Sequence, residues 1–127
     1  MIVLAPISVG ELIDKITILE IKFEHITDSD KRENVARELI TLTGILQDLE
    51  DLPNLQSLSQ QLSMINVELW HIEDAKRECE RNQTFDEHFI HLARQVYIKN
   101  DLRAQIKREI NTLCGSHIVE EKSYKNN

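Results

Sequence analysis

Only five of the 127 residues are glycine or proline, where an average chain of this length carries about fifteen. Reversing direction often needs those residues, because tight turns demand positive φ or a fixed φ near −65°. A sandwich or barrel of many short strands is therefore excluded. Between the few turn signals, apolar residues recur at steps of three and four, the period of one helix face. With 41% hydrophobic residues, such helices can bury a core, which sets the chain apart from disordered ones. The expected architecture is all-α: an antiparallel bundle of about four amphipathic helices forming one domain over residues 1–127, with a short extended N-terminus and a polar C-terminal tail.

The helices can be placed from their caps. Ser8 and Glu11 have capping-box spacing, in which hydroxyl and carboxylate satisfy each other's backbone N–H groups. A first helix over about 9–26 follows, with Leu12, Ile16, Leu19, Phe23 and Ile26 as its stripe. Asp30 with Glu33 opens a second, about 31–51, on Val35, Leu39, Leu42, Leu46 and Leu49, and Pro53 ends it. The connector Asp51–Asn54 is short enough to make its neighbours an antiparallel hairpin. A third helix carries Leu55, Leu58, Leu62, Ile65, Leu69 and Ile72 and runs into the charged stretch Glu73–Arg81. Thr84 with Glu87 caps a fourth, which carries Phe85, Phe89, Leu92 and Val96, then Ile98, Leu102, Ile106, Ile110 and Leu113, up to Gly115. Residues 116–127 read as a solvated tail. Two long hairpins paired in a dimer would show the same pattern, and off-stripe Ile18, Ile21, Val67, Tyr97 and Ile118 favour self-association.

Fifteen Lys and Arg stand against 22 Asp and Glu, a formal charge of −7. Phosphate backbones and anionic lipid surfaces attract basic faces, so neither nucleic acid nor membrane is expected as a partner. Met1–Ile7 is apolar but lacks a basic flank, and no run approaches the 18 residues or so of a membrane span. A cytoplasmic protein with Cys79 and Cys114 as free thiols is the expectation.

The candidate site residues are polar side chains within or beside the stripes. The first helix has Glu11, Asp14, Lys15 and Lys22; the third has Asn66, Trp70 and Glu73 with Asp74 beside them; the fourth has Asn100, Arg103, Lys107 and Asn111, with Asp101 adjacent. A ligand site would use Lys15, Asn66, Asn100, Arg103, Lys107 and Asn111, with the cations on phosphate oxygens. A divalent cation, Mg or Mn, would need Glu11, Asp14, Glu73 and Asp74 to converge. Glu11 to Asp14 resembles half of the metal motif of small all-helical nucleotide pyrophosphohydrolases. The alternative is a salt-bridge network that fixes helix register and needs no cofactor. Glu68-x-x-His71 is a single copy of a spacing that di-iron bundles need twice, and His88 with His91 reads as a surface pair. Trp70 reads as core, in the company of Phe85, Phe89 and Tyr97. No catalytic nucleophile is signalled.

The strings GELIDKITILEIK (10–22), LWHIED (69–74), NDLRAQIKREIN (100–111) and EEKSY (120–124) resemble a family of small uncharacterised helical proteins from bacteria and their viruses. The resemblance spans nearly the whole chain. It implies an accessory role beside surface-polysaccharide glycosyltransferases and a tail, 116–127, that docks on the bundle. It implies no catalytic residue. Two functions are consistent with the sequence: a homo-oligomeric helical interaction protein, or a metal-dependent enzyme that binds a nucleotide or sugar nucleotide in the manner of a phosphohydrolase.

Overall fold

The structure, a computed structural model, describes residues 1–49 and 51–115; the tail expected over 116–127 lies outside them. Four helices follow in order: α1 (Val9–His25), α2 (Ser29–Gln47), α3 (Leu55–Arg81) and α4 (Glu87–Cys114). The all-α expectation holds, and the contacts among these helices are those of a helical bundle.

α1 starts where its capping box places it, with Ser8 Oγ accepting the Glu11 N–H at 3.1 Å. The starts of α2 and α4 differ from expectation by small shifts with local causes. Asp28, not Asp30, caps α2 by accepting the Lys31 N–H at 2.9 Å. Asp86, not Thr84, caps α4 by accepting the Phe89 N–H at 3.2 Å. Each winning carboxylate lies three residues before the N–H it binds, the offset an N-cap requires. α3 ends at Asn82 and Gln83, the latter at φ 52°. Gly115 closes α4 at φ 64°, a left-handed conformation that costs glycine little.

α1 is the centre of the fold, packing on α2, α3 and α4. It therefore buries more than one stripe: Leu12, Ile13, Asp14, Ile16, Thr17, Leu19 and Ile21 are all buried. Off-stripe Ile21 faces its own chain, whereas stripe residue Phe23 is partly exposed and lies under the Arg32 guanidinium, 4.2 Å from ring centre to Cζ. The main core joins Ile13 to Leu55 and Leu62 of α3 and to Ile106 and Ile110 of α4. Leu62 and Ile110 are wholly buried, and each contributes roughly 1.5–3 kcal/mol relative to exposure.

α2 departs most from expectation. None of its residues is fully buried, and among the described residues it packs on α1 but not on α3. α2 and α3 are joined by the expected short connector but are splayed, α2 lying closer to α1. Leu39 of α2 and Ser63 and Val67 of α3 face each other across a cavity of about 320 Å³ beside α1. The most closely packed antiparallel pair is α3 with α4, along which Lys99 reaches Glu68 at 2.7 Å. α1 runs antiparallel to α4, since Gly10 meets Asn111 and Asp14 meets Arg103.

Candidate functional site

The helical spacings seen in the sequence bring most of the candidate polar residues together on the seam between α1, α3 and α4. On α1, Glu11 and Asp14 are three residues apart and point the same way. On α4, Arg103 and Lys107 are four apart and meet them. Asp14, 1% exposed, receives Arg103 Nε on Oδ1 at 2.9 Å and Arg103 Nη2 on Oδ2 at 2.5 Å, a two-point guanidinium clasp. Asn66 Nδ2 donates to the same Oδ1 at 2.9 Å and to Thr17 Oγ1 at 2.8 Å. Thr17 in turn donates to the Asp14 carbonyl at 2.8 Å.

The second half of the seam centres on Lys107. Its Nζ lies 2.7 Å from Glu11 Oε2 and 3.6 Å from Asp14 Oδ2. Lys15, at the exposed rim, approaches Glu11 Oε1 at 3.6 Å. Asn100 accepts from Arg103 Nη1 at 3.4 Å. At the end of the seam Asn111 Oδ1 accepts the Gly10 N–H at 2.7 Å. A Cβ on Gly10 would sit 2.6 Å from the Lys107 carbonyl oxygen, so only glycine lets the start of α1 lie this close to α4. Thr17 and Gly10 were not among the candidates. Their signals were the three-residue step from Asp14 to Thr17 and a glycine just inside a helix.

All six ligand candidates are thus placed, with Asn66, Asn100, Arg103, Lys107 and Asn111 on the seam and Lys15 at its edge. The metal quartet does not converge. Glu73 lies two turns beyond Asn66, about 10 Å along α3, where it is exposed and pairs with Lys76 at 3.4 Å; Asp74 is exposed as well. Among the described residues no three His, Cys, Asp or Glu side chains are grouped to hold a metal ion. The reason is that Asp14 lies level with Asn66, whereas the part of α1 nearer Glu73 is its far end, where His25 meets Trp70 and His71. Chemically, the seam is a set of charges that already answer one another: both α1 carboxylates are held by α4 cations, and the most buried carboxylate accepts from three side-chain N–H groups. The seam's bonds join α4 to α1 at Asn111, Lys107 and Arg103.

Other candidates fall elsewhere. Glu68 of the single E-x-x-H spacing pairs with Lys99, away from its His71. Trp70 is partly buried, and its ring neighbour is His25 at 5.3 Å between centroids, in place of the expected phenylalanines. Phe85 and Phe89 stack edge to face at 5.2 Å, beside the α3–α4 turn. His88 and His91 are exposed. Cys79 and Cys114 are free thiols, and burial raises the Cys114 pKa. Burial, then the like charge of Glu24, raises the pKa of Glu20. Among the described residues, no helix is long and apolar enough to cross a membrane.

Fold and seam together define a helical-bundle protein in which one central helix is clasped to a longer hairpin by buried ion pairs. The chain belongs to the family of unknown function DUF6165, whose model matches residues 3–127. No curated protein and no solved structure matches.

Proposed function

We propose that this chain is a non-enzymatic helical interaction protein, cytoplasmic and homo-oligomeric, whose seam fixes the bundle while its α3–α4 hairpin makes contacts between copies. The observation that carries this reading is the apolar surface of the hairpin beyond α1. At about 1.5 Å per residue, the 27 residues of α3 and 28 of α4 outrun the 17 of α1. α1 begins level with Asn111, near the end of α4, so the overhang lies at the α3–α4 turn. There Phe85 is 50% exposed and Ile90 55% exposed, and Tyr97, two turns from Ile90 on one face and level with the last turn of α1, is 55% exposed.

A second copy suits this surface because a two-fold pairing lets each apolar face serve both partners. The stretch 73–81 on α3 carries Glu73, Asp74, Glu78 and Glu80 against Lys76, Arg77 and Arg81, so charges of both signs flank that face. The resemblance adds an accessory setting beside surface-polysaccharide glycosyltransferases. The seam cations that a phosphorylated ligand would need are engaged by Asp14 and Glu11, which favours this reading over a nucleotide-binding enzyme. The test is light scattering after size exclusion. The wild-type chain is expected to elute as a dimer, and an Ile90→Asp/Tyr97→Asp double variant as a monomer of unchanged helicity. A wild-type monomer at the highest attainable concentration would overturn the proposal, as would a variant that stays dimeric.

A further inference from the structure

Across the α1–α3 contact, one turn beyond the seam's last bond at Asn66, two imidazoles face each other. His25 ends α1 and His71 follows Trp70 on α3; their ring centroids are 5.8 Å apart at an interplanar angle of 72°. Both are exposed. His25 Nδ1 lies 2.8 Å from the Ile21 carbonyl oxygen. A carbonyl only accepts, so Nδ1 carries the proton and the neutral ring keeps its lone pair on Nε2. Metal-binding histidines are commonly oriented by this device, the distal N–H held by a backbone carbonyl.

The separation also fits. With metal–nitrogen bonds of about 2.0–2.1 Å, two imidazole centroids on one tetrahedral ion lie about 5 Å apart, widening to about 6 Å as the angle at the metal opens. We propose that His25 and His71 form a two-imidazole site for a divalent transition-metal cation of the Cu²⁺, Ni²⁺ or Zn²⁺ type, beside the chain's single tryptophan. Imidazole nitrogen suits these ions, whereas Mg²⁺ prefers oxygen. Asp74, one turn beyond His71, is not gathered with the pair, so the remaining positions belong to water or to a group from another molecule.

Trp70 makes the site readable, since Ni²⁺ and Cu²⁺ quench a nearby indole and the chain has no other tryptophan. The experiment titrates NiCl₂ into the full chain while following tryptophan emission, then adds ZnCl₂, which competes without quenching. Saturable quenching that Zn²⁺ reverses is expected. In His71→Ala and in His25→Gln, which keeps an N–H for the Ile21 carbonyl, the titration should shift roughly tenfold or more to higher nickel. A His88→Ala/His91→Ala variant should titrate like the wild type, with all variants checked for unchanged helicity by circular dichroism. Quenching that is unsaturable, that survives in both single variants, or that vanishes only when His88 and His91 are replaced would overturn the proposal.

Discussion

Replacing Asp14 by alanine removes the most heavily bonded side chain of the seam. The carboxylate is 1% exposed and holds both Arg103 Nε and Nη2 as well as Asn66 Nδ2. Without it, Arg103 keeps its charge but loses its counter-ion, and Asn66 loses one of two acceptors. Removing one partner of a buried ion pair costs about 3–5 kcal/mol. The Arg103 side chain is 29% exposed, so water recovers part of its solvation and the expected loss falls to about 2–4 kcal/mol. For a domain of this length that lowers Tm by roughly 8–15 °C. The assay is thermal and urea unfolding followed by circular dichroism, with a double-mutant cycle through Arg103→Met. Because the two groups touch, the losses should not add, and the double variant should recover about 1–3 kcal/mol over the sum of the singles. A loss under about 0.5 kcal/mol, the range of ordinary surface substitutions, would refute the claim that this carboxylate is buried and paired.

Two further substitutions separate close packing from helix propensity. Gly10→Ala places a Cβ 2.6 Å from the Lys107 carbonyl and 2.8 Å from Asn111 Oδ1, so it should destabilise by about 1–3 kcal/mol, whereas at Gly44 nothing lies within 4 Å and alanine should stabilise α2 by about 0.5–1 kcal/mol; equal unfolding midpoints for the two would contradict the α1–α4 approach. Glu20, whose pKa is raised by burial and then by Glu24, binds its proton more tightly folded than unfolded, so its effect on stability worsens as pH climbs from the ordinary carboxyl value of 4.5 through the raised one. Glu20→Gln should therefore unfold at a slightly higher temperature than wild type at pH 7, with the gap closing below pH ~4; a gap that widens on acidification would reverse the sign.

The helices themselves are local, and so were legible. Ser8, the four-and-three spacing of Leu12, Ile16 and Leu19, and Gly115 each act within a turn or two of their own position, which is why fold class and most boundaries follow from the sequence. The seam was half legible for the same reason: the steps from Glu11 to Asp14 and from Arg103 to Lys107 align side chains on one helix whatever that helix meets. What the helix meets is not local. Nothing in the α2 stripe says that it will pack on α1 and leave α3 alone, and nothing in Glu73 or Asp74 says that Asp14 will meet α3 two turns earlier, at Asn66. Those outcomes depend on which packing buries the most apolar surface while pairing every buried charge. Ile13 and Ile21 off the stripe, and Gly10 against the Lys107 carbonyl, show the answer once α1 is seen at the centre. The sequence by itself determined four capped helices and the polar residues aligned along them; the tertiary structure decided which helix lies inside and therefore which charges are partnered, because burial and pairing depend on residues as much as 101 positions apart in the chain.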